Sequence, residues 1–255
     1  MSYARRTSVY RFESETLDFK GLIASEEGTI SAASLRSVDQ FVKTCKNFNV
    51  WDKLEDVGLF VGDQLAAALC KIKAGGGVTI INDGYIEGLY DEGVGIMASE
   101  DGFLDTDVVI NDVLGTRESG GLVVYAMQGV AEAGGTLIGN AQTRLSSDGA
   151  EMTFDWGGET VFTSVGAGFY SGQIEAGQQL SRRYFNNALD NQPGGDTAQA
   201  TDDSLYLLAK NQAGVADRYS GILGFYAVTR GLNVTESNSL YVAVQALQVA
   251  LGRSV

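Results

Sequence analysis

The sequence predicts a mostly β protein: two antiparallel sheets packed face to face, with a helix towards each end. Three observations predict it. Glycine is frequent, 33 of 255 residues, beside 44% hydrophobic residues, a mixture suited to many short strands joined by tight turns. From residue 78 onward, short apolar runs are bounded by Gly, Asn, Asp or Ser. Helical three- and four-residue spacing is confined to segments before residue 78 and after residue 232, which leaves a run of consecutive strands for a sandwich. No internal repeat is evident.

The elements follow in order. Residues 1–30 are weakly periodic, and the first twelve carry Arg5, Arg6 and Arg11 with no acidic residue. That is either a docking arm opposite in charge to its own body or a frayed terminus. Ser31 is placed to cap a helix over residues 31–49, because its side-chain oxygen can accept from an orphan backbone N–H. Leu35, Val38, Val42, Cys45 and Phe48 fall on one face of that helix, and each large member contributes about 1.5–3 kcal/mol when buried. A short apolar run, Val57 to Val61, comes next. A second helix is expected at Asp63–Lys73, ended by Gly75-Gly76-Gly77. Strands are then expected at 78–81, 102–109, 122–127, 136–138, 152–156, 159–163, 169–175, 180–185, 188–191, 204–210 and 220–229. In Arg183-Tyr184-Phe185-Asn186-Asn187-Ala188-Leu189 the two asparagines tolerate the positive φ of a type I′ hairpin. Asp190–Asp203 reads as a long polar loop around the single proline, Pro193. Asn233 and Glu236 form a capping box for a final helix with the apolar stripe Leu240, Val244, Leu247 and Leu251.

Composition narrows the function. There are 32 acidic against 18 basic residues, a formal net charge of −14. Such a field repels phosphate backbones and anionic membrane surfaces, so nucleic acid is not an expected partner. There is no histidine, which excludes a Ser-His-Asp triad, a Cys-His dyad and any His-ligated metal within this chain. Cys45 and Cys70 are too few for a Cys-only zinc site. They read as small core residues, although two cysteines can also pair. No apolar run reaches the ~18–20 residues that span a bilayer, so no membrane insertion is expected. No secretion signal is legible, which points to synthesis in a cytoplasm.

The stretch Val50-Trp51-Asp52-Lys53-Leu54-Glu55-Asp56-Val57-Gly58-Leu59-Phe60 resembles a signature of phage and prophage virion proteins with a concanavalin/laminin-G-like domain. It is followed by the alanine-rich Asp63-Gln64-Leu65-Ala66-Ala67-Ala68-Leu69. Gly102-Phe103-Leu104-Asp105-Thr106 resembles that family's tyrosine-leucine-aspartate-threonine strand. Arg182 to Leu189 is similar to its tyrosine-x-asparagine-glycine hairpin, with Asn187 in place of glycine, and Asn233 to Leu251 to its closing helix. The resemblance covers residues 32–255. It implies a jelly-roll sandwich in a non-enzymatic structural protein of a phage particle: a tail fibre, spike or head decoration. It implies virion proteins as partners, a homo-oligomer, and possible binding of a host surface glycan; the family supplies no catalytic residues. The expected division is an anchoring arm over 1–30, with Arg5, Arg6 and Arg11 as its charges, and the sandwich with flanking helices over 31–255. The protein would be made in the host cytoplasm and reside in the virion.

The Glu-x-Asp-x-(x)-Glu string of sandwich glycosidases is missing; Glu151 and Asp155, with Glu159 nearby, are the nearest substitute and read as a solvated face. No cofactor is expected. Calcium is the one metal considered, because Asp105, Asp107 and Asp112 cluster hard oxygen ligands, although their spacing matches no calcium loop. Gly93-Val94-Gly95 lacks the strand and helix of a dinucleotide fingerprint. A recognition loop is expected at Asn191, Gln192, Asp196 and Thr197. Tyr85, Tyr90, Tyr125, Trp156, Phe169, Tyr170, Tyr184, Tyr206, Tyr219 and Tyr226 can supply a sugar platform, although alternation along strands favours core or strand-surface packing for any one of them.

Overall fold

A computed structural model describes residues 10–115, 119–127, 135–147, 151–156, 159–162, 166–175, 180–186, 188–193, 203–213, 215–218, 221–253 and 255. The helices are α1 (Ser14–Ser25), α2 (Ala32–Asn47), α3 (Leu65–Ala68), α4 (Ile110–Leu114) and α5 (Val234–Ala250). The first strands are β1 (Leu54–Gly58), β2 (Lys71–Lys73), β3 (Ile81–Asp83), β4 (Tyr90–Asp91), β5 (Gly95–Met97) and β6 (Phe103–Asp105). Then come β7 (Gly120–Ala126), β8 (Gly135–Gly139), β9 (Thr143–Ser147), β10 (Met152–Trp156), β11 (Glu159–Phe162) and β12 (Gly168–Ile174). The last are β13 (Leu180–Phe185), β14 (Ala188–Pro193), β15 (Tyr206–Leu207), β16 (Ala209–Gln212), β17 (Val215–Arg218) and β18 (Ile222–Thr229).

Two antiparallel sheets form the expected jelly-roll sandwich. One has nine strands, in the order β14-β13-β12-β7-β18-β1-β2, with β5 also paired to β18 and β4 to β5. The other has seven, β11-β10-β9-β8-β15-β6-β3, and β16 and β17 make a separate hairpin. The nine-stranded sheet is apolar on both faces. Along β7, Leu122, Val124 and Ala126 join the core between the sheets, while Val123 and Tyr125 join a second core under the helices. Alternation along a strand puts successive side chains on opposite faces. In β18 a register shift between Leu223 and Phe225 lets Leu223 and Tyr226 share the inter-sheet face. The protein therefore has three layers: helices, nine-stranded sheet, seven-stranded sheet.

The helical layer is specified locally. The Ser34 N–H donates to Ser31 Oγ at 3.0 Å, and the Asn233–Glu236 capping box is present in both directions. Leu240, Val244, Leu247 and Leu251 are all buried. Phe41 of α2 meets Phe225 edge-on at 5.9 Å, and Tyr241 of α5 meets Phe169 of β12 at 5.5 Å. Phe41 thus takes the place expected of Phe48, which sits at the C-cap of α2 and is 50% exposed.

Several boundaries differ from the sequence expectation. Residues 63–73 are not one helix: α3 is a single turn, and Lys71–Lys73 is a strand paired with β1. Its helical spacing coincides with the needs of an edge strand, where Cys70 and Ile72 bury against the helices. Residues 10–30 are part of the domain, because α1 buries Thr16, Phe19 and Ile23 against it. The strand expected at 204–210 is broken at Leu208, whose φ is 54°. β9 and β17 had not been anticipated. The hairpin at Asn186 is as expected: Phe185 pairs with Ala188, and Asn186 has φ 43°.

Candidate functional site

Pairing register aligns one residue from each of six strands in a single row across the seven-stranded sheet. Asp155 on β10 lies opposite Arg144 on β9, which lies opposite Gly139 on β8. Gly139 is opposite Tyr206 on β15, Tyr206 opposite Asp105 on β6, and Asp105 opposite Ile81 on β3. Their sequence neighbours Phe154, Trp156, Leu145, Ile138, Leu207 and Leu104 all enter the core between the sheets. The row must therefore face outward.

The row has an aromatic centre. Phe103, two residues before Asp105 and on the same face, stacks on Tyr206 with ring centroids 4.3 Å apart and planes 16° from parallel. Tyr206 is buried, 5% exposed, Phe103 is half-buried and Ile81 is 51% exposed. Beside the rings, Gly139 is buried and its backbone packs directly against β9. Its φ is +156°, and a Cβ there would lie 2.3 Å from Arg144 Cβ. Arg144 is held beside Gly139, with Nη2 3.1 Å from Asp155 Oδ2 and Nη1 donating to the Ala141 carbonyl at 3.1 Å. Burial, and then the carboxylates of Asp105, Asp203 and Asp83, push the Tyr206 hydroxyl pKa up. The ring is thus a neutral phenol at physiological pH. An aromatic pair, a phenol hydroxyl and a fixed ion pair in one row can meet a polyhydroxylated ligand with an apolar face.

The expected site residues distribute otherwise. Asp105 belongs to the row, but it does not assemble a cation site with Asp107 and Asp112. Asp105 Oδ1 accepts from the Asp107 N–H at 2.8 Å, and Asp107 Oδ2 accepts from the Gly77 N–H at 2.9 Å. Asp112 is exposed in the first turn of α4. Among the described residues no three acidic or thiol groups come together to hold a metal, so these residues do not fit calcium, which takes 6–8 oxygens at once. Asn191 and Gln192 are strand residues of β14, opposite Arg182 and Ser181; Asp196 and Thr197 lie outside the described residues. Arg5 and Arg6 also lie outside them, while Arg11 is exposed, its carbonyl accepting from Lys43 Nζ at 2.8 Å. Glu151 precedes β10, and Asp155 is committed to Arg144. Tyr206 is one of ten aromatic residues that the sequence offers as a platform; Phe103 figures there only in the strand motif of residues 102–106, and nothing singles out Arg144. The alternation Thr143-Arg144-Leu145-Ser146-Ser147 was the available signal for a strand with Arg144 on its outer face.

A groove of about 290 Å³ lies on the helical side of the molecule between α2 and α5, lined by Tyr10, Arg36, Gln40, Thr44, Ala246 and Ala250 among others. Among the described residues no helix is long and apolar enough to cross a membrane.

No protein-family model matches this sequence, and no curated protein does. Solved structures share the fold. The binding domain of botulinum neurotoxin serotype D superposes with a TM-score of 0.51 and 11% identity, over 75% of this chain and 52% of that one. A Trypanosoma rangeli sialidase mutant displaying trans-sialidase activity gives 0.48 and 11%, over 86% and 40%. The Ruminococcus gnavus IT-sialidase CBM40 bound to α2,6 sialyllactose gives 0.43 and 13%, over 59% and 95%.

Proposed function

We propose that this protein is a non-catalytic glycan-binding module, and that the outward row centred on Phe103 and Tyr206 is its binding surface. The observation that carries the proposal is the stacked aromatic pair placed in register with a fixed Arg144–Asp155 pair on the sheet face away from the core. A pyranose ring lays its C–H face on an aromatic side chain while its hydroxyls take hydrogen bonds from flanking polar groups. The pairing of Asp155 with Arg144 favours binding over hydrolysis at this row. A glycosidase needs one carboxyl held as the acid, with a raised pKa, opposite a free carboxylate. The test is a glycan array probed with the intact protein, followed by calorimetry on any hit. Phe103→Ala should weaken binding about fivefold or more, on the scale of the ~1–3 kcal/mol that an aromatic ring contributes when it stacks on a nucleobase. Unchanged affinity in a folded Phe103→Ala protein would remove the row from consideration, and release of reducing ends from a bound glycan would make the protein an enzyme.

The virion setting is part of the same proposal. It is supported by the resemblance of residues 50–60, 102–106, 182–189 and 233–251 to phage virion proteins. In this reading the sheet row faces the host surface, the helical side faces other virion proteins, and Arg5, Arg6 and Arg11 anchor the chain. Because α1 is packed into the domain, the informative truncation removes residues 1–9 rather than 1–30. The shortened protein should fold and fail to join particles, as read by mass spectrometry of purified virions; normal incorporation would dismiss the anchoring role.

A further inference from the structure

Resting on that reading, we infer that the row selects uncharged glycans and discriminates against carboxylated or sulfated ones. Three features of the site lead there. Arg144, the only cation in the row, already has its guanidinium divided between Asp155 Oδ2 at 3.1 Å and the Ala141 carbonyl at 3.1 Å. An acidic sugar would have to displace Asp155 to reach it, breaking an ion pair that is already made. Next, the charged groups that act on the Tyr206 hydroxyl are all acidic: Asp105, Asp203 and Asp83. Asp83 lies opposite Phe103, and Asp105 opposite Tyr206, so a carboxylate bracket surrounds the aromatic stack. Finally, the whole chain carries a net charge of −14, which adds a long-range field of the same sign. A ligand bearing a carboxylate or sulfate pays this repulsion on approach and again in the bound state, whereas hydroxyls find acceptors in the same aspartates.

Matched pairs of oligosaccharides separate this inference from the reading beneath it. N-acetyllactosamine would be titrated against its sialylated and sulfated forms, and galactan fragments against galacturonan fragments, using the full chain at low and high NaCl. The uncharged member of a bound pair should bind at least about tenfold more tightly, with little response to salt. Any residual binding of the acidic member should strengthen as salt screens the repulsion. Asp83→Asn and Asp105→Asn should narrow the gap by improving only the acidic member, since asparagine keeps the acceptor for the Asp107 N–H. An acidic glycan that binds as well as or better than its uncharged partner overturns the inference. If that binding is lost in Phe103→Ala, the glycan-binding reading survives the failure. If no member of any pair binds a protein with native circular dichroism, the glycan reading fails and the inference with it.

Discussion

Asp56 and Lys71 illustrate how single residues fix this core. Both side chains are fully buried, with Lys71 Nζ 2.9 Å from Asp56 Oδ2. The Tyr226 hydroxyl donates to Asp56 Oδ1 at 2.6 Å, the Gly75 N–H to Oδ2 at 2.9 Å, and Lys71 Nζ also donates to the Thr106 carbonyl. Burial pushes the Asp56 pKa up, against the pull of Lys71, Tyr226 and Gly75. Removing one partner strands a charge. Lys71→Met should therefore cost about 3–5 kcal/mol, and adding Asp56→Leu should recover much of that, since an apolar replacement of a whole buried pair is often near neutral. Urea denaturation of the two variants tests this; equal losses would mean the pair is not the coupled unit described here. The glycines act at the same scale. A Cβ on Gly172 would lie 2.2 Å from the Phe154 ring, and one on Gly120 would lie 2.5 Å from Trp156. Glycines on the nine-stranded sheet thus admit aromatic rings from the other sheet, a pairing that composition hinted at but could not locate. The cysteines read from sequence as core residues are both free and buried. Burial, with a smaller contribution from Glu26, pushes the Cys70 thiol up to about 12, and burial alone raises Cys45 further. Neither thiol should react with a disulfide reagent at pH 8 on the timescale of minutes until denaturant is added, because the thiolate is the reactive form.

At the scale of elements, what was legible depended on how locally each element is specified. The final helix and its capping box were readable because Asn233, Glu236 and the apolar stripe lie within one segment. Asn233→Ala should cost about 0.5–2 kcal/mol, seen as a lowered melting temperature with an unchanged fold. Segment 63–73 was misread because its strand character comes from β1, a partner outside the segment. The N-terminal element was misread for a related reason: its stability lies in contacts with α2. Asp39 is fully buried there and accepts from the Tyr10 hydroxyl at 2.6 Å and the Glu13 N–H at 2.7 Å, while Lys43 Nζ sits 2.6 Å from it. Burial raises the Asp39 pKa, but the hydrogen bonds from Lys43, Tyr10 and Glu13 outweigh it and leave the value lowered. A lowered carboxyl pKa contributes stability that is present above the unfolded value of about 3.9 and disappears as pH falls through the folded value. Amide exchange across residues 10–25, corrected for intrinsic rates, should therefore accelerate below about pH 4 before that of α5. Asp39→Asn should abolish the acid dependence; a persistent acid response in that variant would assign it to other groups, such as Glu15, whose pKa is also lowered.

At the scale of the whole molecule, strand-rich composition was enough to indicate two sheets, but not that helices bury the second face of one of them. Runs such as Leu122-Val123-Val124-Tyr125-Ala126 carry that information, because a strand apolar at every position is covered on both sides. The candidate site was less legible still, since the Asp155–Arg144–Gly139–Tyr206–Asp105–Ile81 row exists only once six strands are in register. The three-layer arrangement has a consequence for cooperativity that the two tryptophans can report. Trp51 belongs to the core between the helices and the nine-stranded sheet, and Trp156 to the core between the sheets. The same strands β7, β12 and β18 form a wall of both cores, so neither can dissolve while the other keeps its packing. Single-tryptophan proteins made by Trp51→Phe and Trp156→Phe should each unfold in urea in one transition. Each fluorescence midpoint should coincide with that variant's own far-ultraviolet circular dichroism. Were the helical layer an independent appendage, the Trp51 signal would move first and leave the dichroism of the sheets intact. Coincident transitions instead identify the nine-stranded sheet as the shared wall through which the helical side and the outward row are held in one rigid frame.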